Sequence, residues 1–208
     1  KDYPTKRIEG CELGNIVNTV TREIVAKCDK GFATVVPCFY EKTYNEWKPN
    51  RGGLVKVHRN PAILEEVTGR TDKGEGILRN GNLLMETATF YVLVRNAEGK
   101  YTKAVINMIS TQLKNARLWL NMALGIKVGP QRVNPPFFSH HYILTTSIER
   151  KDNNAWYGWK IQLGDTVASR ELVETAKSIG TAVRRLTAPQ RQAQLPAGSH
   201  EEADEAPM

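Results

Sequence analysis

The chain has 208 residues, 40% of them apolar, and carries 29 Lys and Arg against 22 Asp and Glu, for a formal net charge of +7. That length fits one domain with appendages, and no apolar run reaches the ~18 residues of a membrane helix. The basic balance favours an anionic partner, with nucleic acid first and an acidic membrane surface or acidic protein behind it. Cys11, Cys28 and Cys38 are widely spaced and form no CxxC pair, which argues against a disulfide framework or structural zinc and for a reducing compartment. The opening KDYPTKRIEG leads into no apolar stretch and does not read as a secretory signal.

Residues 1–23 are polar and mixed and read as an N-terminal arm. Ile24–Asp29 and Phe32–Tyr40 are β-rich and flank Lys30-Gly31, a hairpin signal. The second run continues to Lys48, with Tyr40, Lys42, Tyr44 and Lys48 on one face and Glu41, Thr43, Asn45 and Trp47 on the other. Pro37 demotes part of it to an edge or bulge. Leu54–His58 is a further short strand.

Asn60 and Pro61 have the cap and first-turn chemistry of a short helix over Pro61–Thr68. The Gly-rich, charged stretch GRTDKGEGILRNGN predicts a long mobile loop. Thr87–Arg95 and Tyr101–Ile109 are strong strands joined by the short loop Asn96–Gly99. From Ser110 the period changes. Leu113, Ala116, Leu120 and Leu124 fall at helical spacing, with Ser110 as cap and Gly125 as stop. A Pro-rich connector follows over residues 126–139.

His141–Glu149 and Trp156–Leu163 are strands joined by RKDNN, and Val167–Leu186 is an amphipathic helix. Residues 189–208 turn Gln/Pro/Ala-rich and then acidic. Every Lys and Arg precedes residue 199, whereas SHEEADEAPM holds Glu201, Glu202, Asp204 and Glu205. Such a block of like charge reads as a disordered interaction tail.

The order is strands, helix, two strands, helix, tail, without βαβ alternation. It predicts a mainly β domain over 24–188: an OB-like antiparallel barrel with one inserted helix and a C-terminal helix. A generic α+β sandwich is the structural alternative.

No arrangement of residues calls for catalysis. Gly69–Gly76 has phosphate-loop glycine spacing but lacks the Lys and Ser/Thr that would hold a phosphate. Ser139-His140-His141 is sequence adjacency, not triad geometry. His140 and His141 with Cys28 or Cys38 have no metal-ligand spacing. Glu65-Glu66 reads as solvated. The chain is expected to be neither an enzyme nor a holder of a cofactor.

Binding of single-stranded nucleic acid needs cations for the phosphates and rings on which bases stack. Several strands offer both on their wetter faces. Trp156 stands with Lys160 beside Gly158, which leaves space above the sheet. Tyr91 lines up with Arg95, Tyr44 with Lys42, and Lys103 shares a face with Tyr101. Trp47 joins them if a bulge turns it. Trp119 borders the apolar stripe of its helix and reads as core.

The strand–helix–strand order, the ring-plus-cation strands and the acidic terminus resemble phage-encoded single-stranded DNA-binding proteins of OB-fold type. AVINMISTQLKNARLWLNMAL and FFSHHYILTTSIERKDNNAWYGWKI are also similar to segments of tailed-phage proteins. The resemblance implies cooperative, sequence-tolerant coating of single strands in replication or recombination. The setting would be the host cytoplasm, away from membrane, and a homo-oligomer fits it. It also implies an acidic tail that shields the groove and recruits replication proteins. Such tails commonly end in an aromatic residue, and this chain ends Ala206-Pro207-Met208. A virion structural or assembly protein with a basic DNA- or protein-facing surface is the alternative.

Overall fold

The computed structural model describes residues 8–28 and 30–187. Two long strands form its spine: β3 (Ala33–Trp47) and β7 (Leu83–Arg95), antiparallel over nearly their whole length. Their alternating and β-branched residues suit a pleated surface apolar on both sides. At one end, β9 (His140–Lys151) adds to the edge of β3 and β10 (Asn154–Thr166) to β9, while β8 (Tyr101–Ile109) adds to β7. At the other end, β4 (Leu54–His58) pairs with β3, and the hairpin of β5 (Val67–Arg70) and β6 (Gly76–Leu78) adds to β7. All pairings are antiparallel, and the eight-stranded sheet curls into a half-barrel.

Two helices cover its two faces. The inner face takes α1 (Leu113–Gly125), which follows β8 through a short 3-10 turn. Trp119 sits at its centre, fully buried. Its ring stacks on Phe90 with centroids 4.2 Å apart and lies 5.6 Å from Tyr142. Such a stack adds about 0.5–1.5 kcal/mol to the burial of the rings. The helix also stands beside the outer edge of β10, where Gln112 Oε1 accepts the Trp159 N–H. A side chain thus takes the place of a closing strand. Asn134 caps the other end, its amide donating to the Leu124 and Ile126 carbonyls.

The outer face takes α2 (Arg170–Thr187), begun by Ser169, whose Oγ accepts the Leu172 N–H. Leu172, Val173, Ala176 and Ile179 pack on Val36, Cys38 and Leu93. Gly180 permits the close approach. A Cβ there would lie 2.6 Å from the Cys38 carbonyl oxygen. Burial pushes the Cys38 thiol up to about 12, so it packs as a small apolar group. Cys11, Cys28 and Cys38 are free thiols.

The mainly β, OB-like half-barrel with one inserted and one C-terminal helix agrees with the sequence reading. Local elements differ. Within the expected arm, Ile16–Asn18 forms β1 and pairs with β2 (Glu23–Ala26), and Ile16 and Val25 pack on the inner core. β2 therefore does not form a hairpin with β3. The helix expected over Pro61–Thr68 is a 3-10 turn, Pro61–Glu66. Asn60 caps it as its chemistry requires, accepting the Ala62 N–H, but β-branched Val67 and Thr68 favour the strand that follows. The expected mobile loop holds β5 and β6, fixed because Leu78 buries against Tyr44, Ile63 and Leu84. Among the described residues no helix is long and apolar enough to cross a membrane. The acidic tail lies outside them.

Candidate nucleic-acid interface

Register decides which expected residues can meet. Tyr40 pairs with Phe90, Lys42 with Ala88 and Tyr44 with Glu86, which puts Lys42 and Tyr44 on the inner face. Phe39 pairs with Tyr91, Tyr91 with Val105, Leu93 with Lys103 and Arg95 with Tyr101, all on the outer face. Ile161 pairs with Leu144 of the inner core, so Trp156 and Lys160 also point outward. The expected site therefore divides between two faces.

Tyr44 is a correction. Only 5% of it is exposed, and it packs with Ile63, Leu78 and Leu84. No base can reach its ring. Lys42 is spent locally, with its ammonium 3.0 Å from Glu86 and 5.4 Å from the centre of the Tyr44 ring.

The open space expected beside Trp156 is a second correction. The space above Gly158 is filled: a Cβ there would meet the Glu149 carboxylate at 2.0 Å and the Gln112 amide at 3.1 Å. Glu149 is the cross-strand partner of Trp156 and is ion-paired with Lys114 at 2.8 Å. Lys114, above all, holds that carboxyl below its usual range. Lys160 is exposed but lies three strand spacings from β7, roughly 14 Å.

Trp47 closes β3 opposite Leu83, on the outer face. It stands eight residues beyond Phe39, roughly 26 Å along the strand, and its buried indole N–H lacks an acceptor. It is separate from the other rings.

Tyr91, Arg95 and Lys103 do come together. Lys103 is the diagonal neighbour of both Tyr91 and Arg95 across β7 and β8. Tyr91 lies 6.1 Å from Phe39, centroid to centroid, and the guanidinium of Arg184 from α2 lies 5.9 Å from the Phe39 ring. Phe39 and Tyr91 are both half-buried. The Tyr91 hydroxyl donates to Glu41 at 2.9 Å, and Glu41 pairs with Arg59. Burial, then Glu41, pushes the Tyr91 hydroxyl above its ordinary value. No ion pair engages Arg95, Lys103, Lys177, Arg184 or Arg185 among the described residues.

Sequence reasoning missed Phe39 and Arg184, because α2 brings Arg184 from 145 positions away in the chain. It also missed a polar hub at the far end of the sheet. The side chain of Glu46, 8% exposed, accepts from Asn82 at 2.6 Å and Asn80 at 3.0 Å and shares a 2.8 Å hydrogen bond with His58. Asn82, first, then His58 hold its carboxyl down to about 2. The hub ties β3, β4 and the β6–β7 turn beside an open cavity of about 660 Å³.

Ser139 Oγ and His140 Nδ1 share a 2.7 Å hydrogen bond, but the partner at Nε2 is Thr166, not a carboxylate. His141 bonds the Tyr101 hydroxyl at 2.8 Å. Among the described residues no three His, Cys, Asp or Glu side chains gather to hold a metal ion.

Fold and surface together define an OB-like, mainly β protein with cations around an aromatic pair on its outer face. Among known families, residues 1–189 match the one described as Pam3 phage gp34-like protein, and the chain belongs to that family of bacteriophage proteins. No curated protein and no solved structure matches it.

Proposed function

We propose that this phage protein binds single-stranded DNA without sequence specificity, on the outer face beside the C-terminal half of α2. The observation that carries the reading is the Phe39–Tyr91 pair with Arg184, Lys103 and Arg95 around it, none of the three ion-paired among the described residues. Rings serve any base, and cations serve any phosphate. The site is smaller than the sequence suggested: Tyr91, Arg95 and Lys103 belong to it, while Lys42, Tyr44, Trp47, Trp156 and Lys160 do not. Its action is non-catalytic, in replication or recombination within the host cytoplasm. The acidic tail competes with DNA for these cations and offers a surface to replication proteins.

Titration with oligo-dT and with matched duplex, at two salt concentrations, tests the proposal. Wild type should prefer the single strand. The Lys103→Ala/Arg184→Ala double variant should bind at least about tenfold more weakly, with a log-affinity salt slope shallower by about 0.7 for each phosphate that is no longer neutralised. Equal affinity for duplex, or a folded double variant that binds like wild type, would overturn it. An assembly role in the particle is the second reading, favoured by the open edge of β8.

A further inference from the structure

Among the described residues, the outer edge of β8 has no strand beside it. β8 pairs with β7 alone, without a bulge across its nine residues. The Asn96 N–H donates to the Lys100 carbonyl, which fixes the phase of the ladder. Thr102, Ala104, Ile106 and Met108 turn their backbone groups to β7, so Tyr101, Lys103, Val105, Asn107 and Ile109 turn theirs outward. Proteins usually protect such an edge with Pro, bulges or several charges. Here Lys103 is the one charged residue, and Val105 is 54% exposed.

Hollows flank this edge on both faces. On the inner side, a cavity of about 880 Å³ separates it from the β1–β2 hairpin, with Ile16, Val25 and Trp159 in its wall. On the outer side, a cavity of about 350 Å³ runs between Val105 and the Ile179, Val183 and Leu186 side chains of α2. An added strand would project its side chains alternately into these two hollows.

We propose that the strand is β8 of a second copy, giving a twofold dimer with one continuous sheet. Self-complementarity selects this occupant. Val105 is the midpoint of β8, so antiparallel pairing about it is the one register that uses the whole strand. Tyr101 then faces Ile109, Lys103 faces Asn107, Ala104 faces Ile106, and Val105 faces its own copy. No like charges meet. The outward groups of Tyr101, Lys103, Val105, Asn107 and Ile109 coincide with the positions that exchange bonds in this register, about five hydrogen-bonded pairs in all. The two Lys103–Arg95 strips would join across the dimer on one face.

The inference does not depend on DNA binding, and its test keeps the two apart. Full-length protein, nuclease-treated and freed of nucleic acid at high salt, is then sized at low ionic strength, where like charges are least screened, by sedimentation and light scattering. Wild type should be a dimer at micromolar concentration. Val105→Lys and Val105→Glu each place like charges at the centre and should raise the dimer dissociation constant by at least about tenfold. Mixing the two variants should restore dimers. Circular dichroism checks their fold, and since Val105 is exposed its replacement leaves the core intact. If both variants misfold, Asn107→Lys, which opposes Lys103 of the second copy, gives the same readout. A wild-type monomer, or dimers in V105K equal to wild type, would overturn the proposal. Neither outcome bears on the preference for single strands.

Discussion

Replacing Glu46 by Gln should cost about 1–2 kcal/mol at neutral pH and almost nothing in strong acid. Glu46 stands near the end of β3, where Asn80, Asn82 and His58 converge on one carboxylate. Its carboxyl is held at about 2 against an ordinary value of 4.5. Taken whole, a shift of that size converts to ~3 kcal/mol. The group borders an open cavity, where solvent screens the charge, so about 1–2 kcal/mol remains. The depressed folded value sets the sign. The ionised form is the one the fold stabilises, so the contribution is fully present above 4.5 and is lost as pH falls toward about 2. Thermal melts of wild type and E46Q at neutral pH and near about pH 3 measure it. The neutral-pH gap should appear as roughly 2–8 °C in Tm and shrink in acid. A gap of equal size at both pH values, or E46Q as stable as wild type at neutral pH, would refute the hub.

Gly180→Ala should destabilise by about 2–3 kcal/mol despite the better helix propensity of Ala, because α2 must lift off β3. The obstacle, the Cys38 carbonyl oxygen at 2.6 Å, is backbone and has no flexible end to yield. A denaturant midpoint at or above that of wild type would contradict it. Trp156→Ala should leave oligo-dT affinity within about twofold, since Glu149 and Gln112 fill the space beside the indole above Gly158. A loss of about tenfold or more in the same titration would return Trp156 to the site.

Much of the fold was legible because periodicity reports burial. Phe90 and Val92 alternate with half-buried Tyr91, and the α1 stripe surrounds Trp119, as the structure bears out. The alternation along each strand was also readable, but not which face of β3 turns outward, since Lys42 and Tyr44 stand on the inner one. What covers that face was not. Tyr44 alternates with Lys42 like a surface residue, yet Ile63 and Leu78, 19 and 34 positions on, close over it. Gly158 signals space, but register sets Glu149 next to it. The Glu46 hub draws its donors from two separate segments, β4 and the β6–β7 turn, and single Asn residues in a turn read as turn chemistry.

The two helices bound what the sheet can still do. α1 consumes the inner face around Phe90, and α2 consumes the outer face over Val36 and Leu93. A ligand therefore cannot lie across the middle of either face. Open backbone and unpaired charge coincide at β8 and its margin with α2, where Lys103 serves the outer surface while Val105 serves the edge. A strand of DNA needs side chains from β8, and a second β8 needs its main chain. Because side chains of a strand stand perpendicular to its hydrogen-bonding edge, one strand can meet both demands at once. Dimerisation would then double the cationic strip without covering it, so K103A should weaken DNA binding in monomer and dimer alike.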